Sequence, residues 1–103
     1  MRVMLKANMS VEKANALVRA GKLGSTIQAV LDDLKPEAAY FTDEKGQRTG
    51  YVIVNIADAS EIPKIAEPWF LALNAAVEMH VVMTPADLAK AAPHIEAAAR
   101  KFS

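Results

Sequence analysis

The sequence predicts an α+β fold of the ferredoxin-like, split βαβ plan: β-α-β-β-α-β followed by an extra C-terminal helix. Three stretches carry that prediction. Arg2 to Met9, RVMLKANM, alternates side-chain character with a period of two, as a strand with one buried face does. Arg48 to Ile56, RTGYVIVNI, is dense in β-branched residues and follows a Gly-containing turn. Val77 to Met83, VEMHVVM, is another strand, separated from the last by a helical stretch. Strands in this order form an antiparallel four-stranded sheet of order 4-1-3-2, with both long helices on one face.

The remaining elements follow in order. Ser10 can accept hydrogen bonds from free backbone N–H groups and start a helix, and Glu12 suits its first turn. Val11, Ala14, Leu17 and Val18 have helical spacing. Gly21 and Gly24 interrupt; Ile27, Val30, Leu31 and Leu34 resume the stripe until Pro36 ends it. Ala38 to Thr42, AAYFT, is a short strand, and residues 43–47 form a turn in which Gly46 supplies a positive φ. Gly50 marks a bulge or a close approach. Asp58 and Glu61 have capping-box spacing ahead of a helix through Ile62, Ile65 and Ala66. Pro68 kinks that helix or starts a second turn, WFLAL. Thr84-Pro85-Ala86-Asp87 is a strong helix start. Leu88, Ile95, Ala99 and Phe102 line the last helix, which Pro93 bends.

Composition narrows the function classes. With 103 residues, one domain spanning residues 1–103 is expected, and a core this small gains from a partner chain. Twelve basic residues balance twelve acidic ones, so the basic footprint of a nucleic-acid binder is missing. Without cysteine there is no disulfide, thiol nucleophile or thiolate metal site. The first residues lack the apolar run of a signal peptide, and no stretch reaches membrane-spanning length. A cytoplasmic protein with no membrane partner is expected.

Several local patterns resemble functional motifs. Gly21-Lys22-Leu23-Gly24 copies the GxxG loop with which a KH-type module grips RNA. Neutral charge, Asp32 and Asp33 close by, and a strand left over after residue 70 all oppose that reading, so a helix break is expected. The same stretch is no Walker loop, and no G-x-S-x-G elbow occurs. His80 and His94 fall on different elements, so no metal site is expected; His94 reads as ordinary surface. Haem ligation by His80 lacks any supporting second motif, and no cofactor is expected. Trp69 and Phe70 read as packing, and Met4, Met79 and Met83 as gap-fillers.

Alternation then assigns the faces of the sheet. Val3, Leu5, Val52, Val54, Ile56, Met79 and Val81 should point toward the helices. Met4, Lys6, Asn8, Tyr40, Thr42, Tyr51, Ile53, Asn55, Glu78, His80 and Val82 should point away. That second set is too apolar for a solvated face and too polar for a second core. It suits burial against a twin sheet around a small pocket. His80 and Glu78 are the catalytic candidates, because a His beside a carboxylate and a Lys can move protons near neutral pH. Lys6, Asn8, Tyr40, Tyr51 and Asn55 are the ligand-binding candidates. The same residues also read as a satisfied interface, with Lys6 and Glu78 simply paired.

KPEAAYFT, RTGYVIVNI, IPKIAEPWFLALNAAVE and HVVMTPADL resemble a small bacterial group within the dimeric α+β-barrel superfamily. The resemblance covers nearly the whole chain. It implies a homodimer in which two sheets face each other, each protomer supplying half a barrel. It also implies a range of activities, from cofactor-free monooxygenases and muconolactone isomerase-like enzymes to haem-handling members and members with no known reaction. A small-molecule-binding protein or a cofactor-independent enzyme, isomerase-like or monooxygenase-like, is therefore expected. A non-catalytic dimer with a filled inner face is the alternative. No catalytic motif transfers to a numbered residue.

Overall fold

The computed structural model describes residues 1–103 and places four strands in one sheet. These are β1 (Arg2–Asn8), β2 (Ala38–Glu44), β3 (Gln47–Asn55) and β4 (Ala76–Val81), ordered β2-β3-β1-β4 with every pair antiparallel. That is the expected 4-1-3-2 order read from the other edge, and the fold is ferredoxin-like. Helices α1 (Val11–Arg19), α2 (Leu23–Leu34) and α3 (Ile62–Leu73) cover one face of the sheet, and α4 (Pro85–Phe102) follows β4.

The core forms because β1 alternates without a fault: Val3, Leu5 and Ala7 are buried and their neighbours are not. Val52, Val54 and Ile56 line up beside them, and Ala14, Val30, Ile65, Trp69 and Leu73 close over from the helices. Each large aliphatic side chain so buried contributes about 1.5–3 kcal/mol. Trp69 is fully buried in this cluster, as its packing reading requires, whereas Phe70 is 41% exposed.

Helix ends follow the sequence signals. The Lys13 N–H donates to Ser10 Oγ at 3.2 Å and starts α1. At the other end Gly21 takes φ +70°. Its N–H donates to the Val18 carbonyl at 2.9 Å, and the Lys22 N–H donates to that of Leu17 at 2.7 Å. This pair of bonds is a Schellman closure, which needs a left-handed residue. Gly24 instead sits in the first turn of α2, with nothing within 4 Å of where a methyl group would stand. The GxxG spacing is thus one helix stop followed by one helix start. Gly21→Ala should destabilise by about 1 kcal/mol, because an L-residue is strained at that φ. Gly24→Ala should stabilise by about 0.5 kcal/mol by removing backbone freedom from a helix. Urea unfolding of both variants checks the opposite signs; equal shifts would refute the assignment.

The structure corrects two local expectations, the turn after β2 and the cover over Val81, and narrows two others, at Gly50 and Pro68. The turn after β2 is shorter than residues 43–47: only Lys45 and Gly46 turn, both at positive φ (54° and 75°), as in a two-residue hairpin loop. Strand β2 therefore runs on to Glu44, which pairs with Gln47. Gly50 marks a close approach and not a bulge, since the ladders run unbroken through it. A Cβ there would lie 3.0 Å from Phe41 Cε1. Helix α3 continues through Pro68 as one helix, preceded by a single 3-10 turn, Ala59–Glu61. Asp58 Oδ1 accepts from the Ser60 N–H at 2.8 Å, and Glu61 Oε2 accepts from the Asp58 N–H at 3.2 Å. Val81, expected beneath the helices, is 65% exposed, because β4 ends at a corner the helices leave uncovered.

Helix α4 begins as its sequence demands. The Asp87 N–H donates to Thr84 Oγ1 at 3.1 Å, the Thr84 N–H donates to Asp87 Oδ2 at 3.0 Å, and Pro85 takes the first position. It runs unbroken through Pro93, and none of its residues is buried. The molecule is correspondingly long, 59 × 28 × 21 Å, with a radius of gyration of 17.1 Å. A compact chain of this length would have about 13 Å.

Candidate functional site

The face of the sheet opposite α1, α2 and α3 is open. Lys6 sits at its centre, with Tyr51 as its partner on β3 and Glu78 as its partner on β4. Its Nζ lies 3.1 Å from Glu44 Oε2 and 3.4 Å from Glu78 Oε1. The Tyr51 hydroxyl donates to Glu44 Oε2 at 3.0 Å. One side chain from each of the four strands thus joins a single network: Glu44, Tyr51, Lys6 and Glu78. The Lys6 side chain is only 18% exposed and Glu78 is 62% exposed, so the network is shielded on one side and open on the other.

Protonation states follow from these contacts. Donation to Glu44 outweighs the cost of burying the ammonium and raises the Lys6 pKa. The Lys6 and Tyr51 hydrogen bonds hold the Glu44 carboxyl below its ordinary range. The bond to Glu44, and then burial, raise the Tyr51 phenol. At neutral pH the three groups are therefore ammonium, carboxylate and neutral phenol. With the Glu78 carboxylate the network carries one excess negative charge.

Stability should follow the same signs. A depressed carboxyl stabilises the fold above its unfolded value, here 4.5, and that contribution is lost as pH falls through the lower folded value. Raised Lys6 and Tyr51 stabilise below their ordinary values of 10.5 and 10.0, and that is lost as pH rises through the folded ones. Glu44→Gln should therefore lower the melting temperature most between about pH 5 and pH 9, with the gap from wild type closing on both sides. Thermal unfolding across pH checks this; a gap that widens in acid would refute the ion-pair assignment.

The other candidate residues fall into different places. Asn8 Nδ2 donates to Thr49 Oγ1 at 2.9 Å and to the Glu44 carbonyl at 3.3 Å, while the Thr49 hydroxyl donates to the Gln47 carbonyl at 3.0 Å. Asn8 therefore braces the hairpin that presents Glu44. Tyr40 pairs with Tyr51 across β2 and β3 and is 68% exposed. His80 pairs with Met4 and is exposed, two residues along β4 from Glu78 and on the same face. Asn55 is not part of the Lys6 network. It pairs with Arg2 at the far end of β1, where Asn55 Nδ2 and Arg2 Nε both donate to Glu37 Oε1 at 3.0 Å. Four residues of strand, about 13 Å, separate that second cluster from Lys6. His94 is exposed on α4. No group of three His, Asp or Glu side chains lies close enough to hold a metal ion, and no helix is long and apolar enough to cross a membrane.

Glu44 is the site residue that sequence reasoning missed, because residues 43–47 read as a turn. Its signal is the alternation Tyr40, Thr42, Glu44, which keeps period two up to a Lys-Gly loop of hairpin type.

No protein-family model matches the chain, and no curated protein matches it. Among solved structures it is similar to 5-chloro-2-hydroxyhydroquinone dehydrochlorinase from Burkholderia phenoliruptrix AC1100, in complex with 2,5-dihydroxybenzoquinone. The TM-score is 0.62 at 15% identity, over 84% of this chain and 97% of that one. It is also similar to the de novo designed protein Ferredog-Diesel, with a TM-score of 0.45 at 10% identity over 79% and 85% of the two chains; that likeness carries no argument. At such identities the first likeness speaks to the fold, which is ferredoxin-like, and not to the reaction.

Proposed function

We propose that this chain binds a small molecule on the open sheet face and forms a homodimer through that face, with cofactor-independent proton transfer as the chemistry its side chains suit best. The carrying observation is the Glu44–Tyr51–Lys6–Glu78 network, a cluster of charge at the centre of a face that also carries Met4, Tyr40 and Ile53. Within it Lys6 and Glu44 hold each other in fixed charge states and are poor proton carriers. Glu78 is the free carboxylate, with one 3.4 Å link to Lys6 and an exposed outer edge. Glu78, or His80 beside it, can accept a substrate proton, while the Lys6 ammonium stabilises the anion that forms. Tyr40, 68% exposed, offers a phenolic donor, and the Tyr40 and Tyr51 rings an apolar wall. A partner sheet laid over the face would exclude water and strengthen these electrostatic effects. The dehydrochlorinase indicates that a chain of this fold and nearly this length can support small-molecule chemistry; its substrate is not carried over.

Native mass spectrometry of freshly purified protein tests the reading. The expected result is a dimer that retains a small organic molecule, identifiable after release. That molecule should raise the melting temperature of wild type, and less so that of Glu78→Gln and His80→Ala. A monomer, or a dimer that is empty and whose inner face is packed solid at atomic resolution, would replace this reading with a non-catalytic protein.

A further inference from the structure

Helix α4 and the uncovered corner beside β4 are two apolar surfaces of one chain, each without a partner. On α4, Leu88, Ile95 and Phe102 fall seven residues apart, on one side of the helix, with Ala91, Ala92 and Ala99 between them. They are 50%, 58% and 78% exposed, in a helix that buries nothing. The corner is a groove of 280 Å³ bounded by Met1, Val3, Ile56, Ile62, Met79 and Val81. Its lining side chains are all apolar, so an apolar side chain suits it.

The helix is held away from the groove of its own chain. Only Val82 and Met83 join β4 to the Thr84 cap, and the Val82 N–H donates to the Arg2 carbonyl at 3.0 Å. The reciprocal bonds between Thr84 and Asp87 start the helix at once, and α4 projects from the end of the strand with no buried residue, so that the molecule reaches 59 Å.

Area supports an exchange between two copies. Four strands of about seven residues present a face of about 19 by 23 Å, so two apposed faces cover about 900 Å². Stable specific interfaces bury about 1,200–2,000 Å² in total. An 18-residue helix is about 27 Å long and about 10 Å across. Two such helices docked along one side, with the surfaces they cover, add about 1,000 Å². The open faces alone fall short of a stable dimer, and the exchanged helices bring the total into range.

We propose that α4 is an exchange arm: each copy lays its Leu88–Ile95–Phe102 stripe over the β4 corner of a second copy, with one of these side chains entering the Met1–Ile62–Met79–Val81 groove. The exchange is isologous, as a two-fold dimer requires, so one chain supplies both the arm and the seat. It rests on the homodimer proposed above.

The test uses the full chain. Leu88→Glu/Ile95→Glu/Phe102→Glu, which touches no buried residue, should keep the far-UV spectrum of wild type. Light scattering should show its dimer dissociation constant raised at least about 100-fold. In parallel, a photoreactive benzoylphenylalanine at position 95 is irradiated in a mixture of ordinary and nitrogen-15 chains. Cross-links should join unlike chains and map to Met1, Ile62, Met79 or Val81. A wild-type dimer with an unaffected arm variant, cross-links within one chain, or cross-links elsewhere would each overturn the arm while leaving the homodimer standing. A wild-type monomer would remove both.

Discussion

Trp69→Ala should cost about 3–5 kcal/mol, the range for deleting a fully buried indole from a close-packed core. A domain of this size has only about 5–15 kcal/mol in total, so the variant should be partly unfolded at 37 °C. The reason is local. Trp69 stands at the middle of α3, wholly buried, among the residues that join the helices to Leu5 and Val52. Its Nε1 is also buried without a hydrogen-bond partner. An orphaned donor of that kind costs about 1–3 kcal/mol. Trp69→Phe removes the donor while keeping much of the ring, so it should lose less than about 2 kcal/mol, the smaller cavity being offset by the relieved N–H. Urea midpoints by far-UV circular dichroism compare the two. A loss below about 1 kcal/mol for Trp69→Ala would mean that the core is not close-packed around α3.

Ile53→Asp should abolish the proposed dimerisation and leave the protomer folded. Ile53 lies between Ala38 and Met4 on the open face, only half-buried, so a carboxylate there meets water in the single chain. In a face-to-face dimer it would meet apolar side chains of the partner. Removing such a central contact and burying a charge in its place should cost about 2–4 kcal/mol, a loss of about 30- to 1,000-fold in affinity. Sedimentation equilibrium against wild type checks it. An undiminished dimer would place the interface elsewhere.

Much of the fold was legible because burial here follows periodicity. β1 is buried on one side and polar on the other, and a period of two reports that directly. The caps at Ser10 and Thr84 were legible for a different reason: they are local bonds between residues three apart. What could not be read depended on distance. Whether Val81 is covered is decided by where α3 begins in space. Glu44 reads as turn or strand according to where the chain reverses, and two positive-φ residues, Lys45 and Gly46, settle that. Lys6, Tyr51 and Glu78 could be placed on one face by alternation, since sheet order makes β1 neighbour both β3 and β4. Asn55 shares that face too, but alternation carries no information about position along the strand, so its separate attachment to Glu37 could not be foreseen.

The line of charge from Glu44 through Lys6 to Glu78 crosses the sheet from one edge to the other. A guest that grips Glu78 competes with the Lys6 ammonium, and whatever Lys6 yields at that edge changes its hold on Glu44 at the opposite one. Occupancy should then be felt at the hairpin tip, as altered hydrogen–deuterium exchange of the Lys45 and Gly46 amides. The sheet would serve as a lever, reporting a visitor at β4 through the loosening or tightening of a loop that the visitor never meets.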